Sequence, residues 1–406
     1  MHAAEPARPV PQRAAAAGSA AVEPAGAASA RSAAASAAAT CAGFARVDLA
    51  SPPGTCVALV AGAADGLRMP RRMLEVAPNR FWVVDMGSWE PNQGRLIELR
   101  VGQVGDAGPR AQTRVLLDRL DRPFGMVGAP DGRIYVAEAS RVWRLAPGAP
   151  LRPDAVIDGL PADGAHPLKE IVFGGPGRLF IGVGSATDAC RDAAGRQTLP
   201  CPEMSGERPR AAVYEALLAG PRQTLHSLRP FATGLRNSLA LAWLPQTRTL
   251  LQGENSIDYP DAGAPPEELN LLRDGADYGW PACVGARRPA RGYADPPCAR
   301  TTAPLKLWPA HAAPLHALAL PTEHRSPFAG QLLVAWHGHR AAGHRVVGFP
   351  LDADGVPSGA PIEWLRERPR SRGGAFAPAG VAVAMSGALL VADDRNRRIL
   401  MLVRER

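Results

Sequence analysis

The chain has 406 residues, 46% hydrophobic and 21% charged, a composition that excludes disorder throughout and suffices for a large core. The formal net charge is +8, but basic residues are scattered without long runs, so we expect a solvated arginine-rich surface and no nucleic-acid partner. No long stretch of strongly apolar residues is present, so we expect no membrane span.

The first 40 residues differ in composition from the rest of the chain. They contain 19 alanines among Pro, Ser, Gly and Arg, which is too little apolar bulk to pack. We therefore expect a disordered tail over residues 1–40 and one globular domain over residues 41–406. The tail has no leucine-rich segment of the kind found in signal peptides, so no export signal is visible.

A strand–turn–strand unit recurs six times, over residues 73–88, 125–140, 170–185, 239–256, 317–338 and 381–394. Each copy joins two short apolar runs across a Gly, Pro, Asp or Asn turn, which is typical of a β-hairpin. A further strand with alternating apolar residues follows most copies. The sequence therefore predicts an all-β fold, a six-bladed β-propeller of four-stranded antiparallel blades, with residues 55–62 and the C-terminal strand closing the ring.

Six cysteines fall into three neighbouring couples. None forms a C-x-x-C motif, which argues against a zinc ribbon or a covalent haem. Of the 15 possible connectivities, the simplest joins each couple, and three such disulfides imply an oxidising compartment such as a bacterial periplasm. The alternative is six reduced, buried thiols. The couples are Cys41 with Cys56, Cys190 with Cys201, and Cys283 with Cys298.

Polar residues at the ends of the predicted inner strands should gather at one mouth of the channel, beneath long loops over residues 186–210 and 254–300. His166 precedes an inner strand, and an imidazole can take a proton from a substrate hydroxyl near neutral pH. On the next blade, Arg236 offers a fork suited to negative oxygen and Asn237 an amide that can orient a polar ring. Taken alone, such a histidine is more often a surface residue.

Residues 252–285 are dense in oxygen ligands. Calcium takes six to eight oxygens from carboxylates, amides and carbonyls. Gly253, Glu254 and Asn255 are candidates for one ion that faces the channel, and Glu268 with the Tyr278 carbonyl for a second, structural ion. The spacing is not that of an EF-hand, and acidic loops without ions are common.

Four motifs occur in a specific order: His-x₄-Ile-Val-Phe-Gly at 166–174, Gly-Leu-Arg-Asn at 234–237, Glu-Leu-Asn at 268–270 and Tyr-Gly-Trp-Pro at 278–281. This order resembles the soluble glucose/sorbosone dehydrogenases that use pyrroloquinoline quinone (PQQ), over roughly residues 47–400. The resemblance implies that His166 is the general base that takes the substrate hydroxyl proton while hydride passes to the quinone. It also implies that Arg236 stabilises negative charge on the quinone oxygen and that Ca²⁺ polarises the quinone carbonyl. A separate electron acceptor, a cytochrome or a quinone, is also implied.

The chain departs from this family at two places. Ser185 stands where glucose-oxidising members carry an Asp that orients the base, and residues 376–380 read Phe-Ala-Pro-Ala-Gly where the family offers arginines to the cofactor carboxylates. We assign Lys169 and Asn237, with Arg236, to cofactor binding. The candidates to replace the missing arginines are Lys169, Arg340, Arg345 and Arg372.

We therefore predict a periplasmic or secreted PQQ-dependent dehydrogenase that acts on a sugar or a related polyhydroxy aldehyde. Two alternatives from other classes stay open, because a fold does not dictate a function. A metal-dependent lactonase would need side-chain carboxylates that converge on the metal. A non-catalytic ligand-binding propeller is favoured by the missing arginines.

Overall fold

The structure is a computed structural model that describes residues 40–103, 109–147, 151–192, 194–368 and 375–405. Residues 1–39 of the predicted tail and Arg372 lie outside the described residues. The helical elements of the described chain are three short 3-10 turns, Ala63–Asp65, Pro202–Met204 and Cys298–Arg300. No helix there is long and apolar enough to cross a membrane.

Six antiparallel sheets form the blades of a β-propeller, and each predicted hairpin supplies the two inner strands of one blade. Blades 1 to 3 run from the innermost to the outermost strand as follows. Blade 1 contains Pro70–Ala77, Arg80–Asp85, Gly94–Gln103 and Pro109–Leu120. Blade 2 contains Met126–Gly128, Ile134–Ala137, Val142–Leu145 and Asp154–Ile157. Blade 3 contains Ile171–Phe173, Arg178–Val183, Ala212–Ala219 and Thr224–Thr233, with Ala276–Asp277 added in parallel at its edge.

Blades 4 to 6 complete the ring in the same order. Blade 4 contains Ala240–Leu244, Thr249–Glu254, Glu267–Leu272 and Lys306–Trp308. Blade 5 contains Pro314–Leu320, Gln331–Trp336, Arg345–Pro350 and Ile362–Glu367, with Leu49–Ala50 at its edge. Blade 6 contains Pro378–Val383, Leu389–Asp393, Arg398–Arg404 and Thr55–Ala61. Two small hairpins lie outside the blades, Thr40–Cys41 with Phe44–Ala45 and Cys283–Val284 with Arg288–Pro289.

The predicted six-bladed fold and its closure are confirmed, because Arg398–Arg404 pairs with Thr55–Ala61. One expectation was wrong: the stretch 254–300 is not a continuous loop, since Glu267–Leu272 forms the third strand of blade 4. This strand is difficult to recognise in the sequence. Its two acidic residues are buried, so the strand lacks the alternation of polar and apolar residues that marks a half-exposed strand.

Apolar side chains fill the spaces between neighbouring blades. Between blades 4 and 5, the ring of Phe349 stacks on that of Trp308 with 5.6 Å between centroids, and Trp336 meets Trp308 edge-on at 5.8 Å. All three side chains are almost fully buried. Burial of a large apolar side chain contributes about 1.5–3 kcal/mol, so such layers are the main source of stability between blades.

The predicted disulfides are confirmed, and no cysteine is free. Cys190–Cys201 and Cys283–Cys298 belong to one buried cluster together with Tyr259, Trp280 and Tyr293. The long loops over blades 3 and 4 therefore share a small core of their own, which two disulfides brace.

Arg72 on the inner strand of blade 1 reaches groups from all the other blades. Its side chain is 1% exposed and forms an ion pair with the equally buried Glu170. The guanidinium also donates to main-chain carbonyls and lies over an aromatic ring. These groups are the Leu239 carbonyl at 3.2 Å, the carbonyls of Leu315 and Ala379, and the Phe124 ring with its centroid 4.2 Å away.

We expect Arg72→Met to destabilise the propeller by roughly 3–5 kcal/mol, because it leaves the Glu170 carboxylate buried without a counter-charge. Urea unfolding followed by tryptophan fluorescence measures this loss. Arg46→Met, which breaks the exposed ion pair with Glu405, is the control and should cost less than about 1 kcal/mol. The double variant Arg72→Met/Glu170→Met should recover a large part of the loss; a single-variant cost no larger than the control's would contradict the role of Arg72.

Candidate active site

One mouth of the propeller channel opens into a cavity of about 820 Å³. Its lining comes from the segments that lead into the innermost strands, from the starts of those strands, and from the turns that follow the second strands. The polar and aromatic lining residues are Arg68, Arg71, Ser88, Trp89, His166, Asn237, His337, Asp394, Arg395 and Arg397. A cavity of this size can hold a cofactor together with a small substrate.

His166 lies in this lining, as the predicted base should. Its Nδ1 is 2.9 Å from the Ser185 carbonyl oxygen and 3.0 Å from the Ser185 hydroxyl. Because a carbonyl can only accept, Nδ1 carries the proton and Nε2 keeps its lone pair. Close contact with the neighbouring strand requires a glycine at position 184, since a Cβ there would lie 2.5 Å from the Cβ of His166.

The surroundings of His166 keep its ring neutral. Burial is the main cause, followed by the positive charge of Arg236, and together they lower the pKa of His166 to about 4. Ser185, which stands where the family resemblance led us to look for an orienting carboxylate, fixes the ring by neutral hydrogen bonds that supply no negative charge. The imidazole is therefore held in one tautomer but is a weaker base than a histidine paired with a carboxylate.

Asn237 lies in the cavity lining, whereas Arg236 lies behind it. The Arg236 guanidinium donates to the Asn255 carbonyl at 3.0 Å and forms ion pairs with Asp188 at 2.7 Å and Asp258 at 2.9 Å. Arg236 is thus engaged by protein groups outside the cavity lining, and its direct contact with a bound quinone stays a prediction. What the geometry does display is a buried positive charge close enough to His166 to lower its pKa.

Lys169 is fully buried and does not belong to the cavity lining. Its ammonium group donates to the Pro167 carbonyl at 2.6 Å, and burial lowers its pKa to about 7. Arg340 and Arg345 also lie outside the lining; Arg340 donates to the Pro260 carbonyl, and Arg345 pairs with a neighbouring carboxylate. None of the described candidates for the missing arginines therefore reaches the cavity.

Glu254 and Glu268, two of the predicted metal ligands, are paired across adjacent strands of blade 4 and are both buried. Burial, and then the charge of Glu268, raises the pKa of Glu254 to about 8, while burial raises that of Glu268 to about 7. Asn270 beside them donates to both the Gln252 amide and Glu268, but its own buried Oδ1 has no partner among the described residues. The result is an oxygen-rich pocket with excess negative charge.

Two other predicted ligands, the main-chain oxygens of Gly253 and Tyr278, stay predictions. Gly253 is the next-to-last residue of the blade 4 strand Thr249–Glu254, where a Cβ would come within 2.9 Å of the Trp308 ring. The Tyr278 hydroxyl donates to the Leu271 carbonyl and accepts the N–H of Arg273 at 3.1 Å. The structure thus brings the two glutamates together and directs the Tyr278 side chain to other groups.

The cavity also contains a charged network that the sequence analysis did not predict. Asp394 forms an ion pair with Arg71 and lies 2.9 Å from His337 Nε2. Burial opposes ionisation of this carboxyl, but the charge of Arg71 and the contact with His337 hold the pKa of Asp394 at about 2. The sequence did contain one signal for this network, the consecutive arginines Arg71 and Arg72 at the start of an inner strand. Arginines at positions that are normally apolar need buried partners.

Trp89 is the other lining residue that the sequence analysis missed. Its ring is 55% exposed, although large aromatic side chains are usually buried, and its centroid lies 5.8 Å from the Arg71 guanidinium carbon. An exposed indole face at the edge of a cavity suits stacking with a planar or ring-shaped ligand.

Residues 154–342 match the family model described as glucose/sorbosone dehydrogenase, a little under half of the chain. The family resemblance is confirmed. The description of that model is of dehydrogenases that act on glucose or sorbosone. No curated protein matches the chain.

Solved structures similar to this chain share its fold. The holo PQQ domain of pyranose dehydrogenase from Coprinopsis cinerea has a TM-score of 0.69 at 20% identity, covering 90% of this chain and 100% of that one. A calcium structure of a Trichoderma reesei AA12 carbohydrate-active enzyme gives 0.70 at 17%, covering 89% and 98%. The apo soluble aldose sugar dehydrogenase from Escherichia coli gives 0.58 at 15%, covering 86% and 99%. At these identities the likeness is one of fold.

We expect His166 to titrate near pH 4, well below an ordinary histidine, because burial and Arg236 disfavour its protonated form. The ring should stay neutral from pH 8 down to about pH 5. Since the unfolded chain takes up this proton already near pH 6.5, the folded state should lose stability as the pH falls from there towards 4. Histidine NMR over this pH range measures the titration, and His166→Gln identifies the resonance. Titration of that resonance near pH 6.5 would contradict the expectation.

Proposed function

We propose that the chain is a PQQ-dependent dehydrogenase that oxidises a sugar or a related polyhydroxy aldehyde, of the aldose or sorbosone type. The observation that carries the proposal is the neutral His166 facing a cavity that is also lined by arginines. A proton acceptor and a set of cations around one open space are what hydride removal beside a polyanionic cofactor requires.

In this proposal His166 takes the proton of the substrate hydroxyl. The bond from Nδ1 to the Ser185 carbonyl fixes the tautomer, so Nε2 is the accepting atom. Bound PQQ supplies the carbon that accepts the hydride. Asn237, whose amide group lies in the lining, orients a polar ring, and Arg236 is a positioning residue that holds the segments of Asp188 and Asp258 and keeps His166 neutral.

The described residues fit the cofactor. PQQ is planar and carries three carboxylates; the cavity offers an exposed indole face at Trp89 and a buried arginine, Arg71, whose Nε has no partner among the described residues. The residues that would hold PQQ are Arg71, Trp89 and Asn237, together with the arginines at the cavity mouth.

We also propose that one Ca²⁺ binds on blade 4, at Glu254 and Glu268, which the sequence analysis had assigned to two separate ions. Two buried carboxylates with raised pKa values and the unpartnered amide oxygen of Asn270 form a set of hard oxygen donors. A divalent cation would relieve their repulsion. The carbonyls of Gly253 and Tyr278 stay candidates for further ligands.

The charges in the cavity favour the dehydrogenase over a metal-dependent lactonase. Such a hydrolase needs carboxylates that converge on a metal in the channel, and among the described lining residues Asp394 is the sole carboxylate. It is already paired with Arg71 and His337. We further propose an oxidising location, periplasmic or secreted, because of the three disulfides, and a separate cytochrome or quinone as the electron acceptor.

The proposed function is tested by reconstituting the purified protein with PQQ and Ca²⁺ and following dye reduction with a panel of aldoses and sorbosone. Turnover should require PQQ, and His166→Ala should lower it about 100-fold or more. His226→Ala, which removes an exposed histidine of blade 3, is the matched control and should leave turnover unchanged. Lactone hydrolysis without PQQ would favour the hydrolase, and saturable sugar binding without turnover would favour a binding propeller.

The calcium proposal predicts that the parent protein becomes more stable than Glu268→Gln only when Ca²⁺ is present. Without the ion, Glu268→Gln should be at least as stable as the parent protein, because it removes one of two repelling carboxylates. At about 100 times the dissociation constant, Ca²⁺ should stabilise the parent by about 2.7 kcal/mol and the variant by much less. Thermal unfolding with chelator and with Ca²⁺ measures both, with Glu323→Gln at an exposed site as the control. Equal stabilisation of parent and variant would remove Glu268 from the site.

A further inference from the structure

Four arginines line the cavity, but residues 376–380, where the family resemblance placed such cations, contribute none. Arg71 belongs to the inner strand of blade 1, and Arg395 and Arg397 to the turn after Leu389–Asp393 of blade 6. The fourth, Arg68, precedes blade 1. The positive charge therefore comes from different positions in the ring than the sequence comparison suggested.

Arg71 is a buried cation with unused donors. It is 3% exposed, and Nη1 is engaged by Asp394, but Nη2 meets the sulfur atoms of Met69 at 3.3 Å and Met86 at 3.7 Å. A thioether is a weak acceptor. Its Nε has no partner among the described residues. A guanidinium with donors left over in a buried cavity wall is unfavourable unless an acceptor arrives.

Arg395 and Arg397 are exposed side chains on a turn that is itself held firmly. The Asn396 amide between them donates to both carboxylate oxygens of Asp393, at 2.9 and 3.0 Å, and to the Ala375 carbonyl at 3.0 Å. Neither arginine has an ion pair within the described part of the chain, whereas the next arginine, Arg398, is paired with Asp393. Two free cations are thus presented at the cavity from a fixed backbone.

We propose that Arg71, Arg395 and Arg397 form a carboxylate clamp that holds a planar polycarboxylate cofactor in the cavity, in place of the arginines missing from residues 376–380. The inference rests on the proposed function for the identity of the cofactor, PQQ. Arg71 keeps its bond to Asp394 and offers its remaining N–H groups from the wall, while Arg395 and Arg397 bind carboxylates at the mouth. Guanidinium groups suit this task because their paired donors match the two oxygens of a carboxylate.

The clamp is tested by calorimetric titration of the calcium-loaded apoprotein with PQQ and, separately, with its uncharged trimethyl ester. Arg395→Gln/Arg397→Gln removes two exposed side chains and should leave the fold intact. It should weaken PQQ binding about 10- to 100-fold, the loss of hydrogen bonds to charged groups, and leave ester binding unchanged. Arg71→Lys, which keeps the positive charge but loses the planar guanidinium with its paired donors, should also weaken PQQ binding.

The matched control is Arg110→Gln/Arg273→Gln, which removes the same two charges from exposed positions outside the cavity. If this control weakens PQQ binding as much as Arg395→Gln/Arg397→Gln does, general electrostatic attraction explains the effect and the clamp is refuted. Equal PQQ affinity of parent and Arg395→Gln/Arg397→Gln also refutes it, while leaving the proposed function standing.

A third probe separates the clamp from the choice of cofactor. Benzene-1,3,5-tricarboxylate carries the same number of carboxylates on a planar ring but has no quinone. If the parent binds this tricarboxylate through Arg395 and Arg397 but does not bind PQQ, the clamp is supported and the proposed function is overturned.

Discussion

A propeller must fill its own axis, and in this protein a buried ion pair does so. Arg72 and Glu170 are both removed from water, and the guanidinium donates to carbonyls in or next to the inner strands of three further blades. Leu239 and Leu315, two of these partners, line the upper cavity, while Glu170 lines a second cavity of about 400 Å³ formed by the inner strands. The pair therefore separates the two spaces, and the floor of the upper cavity depends on it.

Two consecutive arginines on the inner strand of blade 1 have different roles. Arg72 is saturated with acceptors and joins the blades, whereas Arg71, one residue earlier, has donors left over. The register shifts between Pro70 and Arg72, so Arg71 is the extra residue of a β-bulge and its side chain meets surroundings different from those of Arg72. The same strand can thus fix the fold and present an unsatisfied cation to the cavity above it.

The sequence was sufficient to predict the blades and the position of His166 at the channel mouth, but not the cations of the cavity. The hairpins are marked by turns, and the disulfides by couples of cysteines, so both follow from local signals. The Glu267–Leu272 strand was missed because buried acids disguise its pattern. The arginines were missed for a different reason: Arg71 meets Asp394 across 323 positions of sequence, and such a contact exists only after the ring closes. The sequence also did not reveal that Arg236 is occupied by Asp188 and Asp258, because both lie in loops whose course the strand pattern does not predict.

The disulfide-braced loops also support the positive charge that lies near His166. The Asp188 carbonyl accepts a hydrogen bond from the indole N–H of Trp280 at 3.0 Å, and Trp280 is packed among the two cystines of this cluster. Asp188 in turn fixes Arg236, whose charge tunes His166. Through Trp280 and Asp188, the two cystines therefore brace the cation that holds the imidazole of His166 neutral.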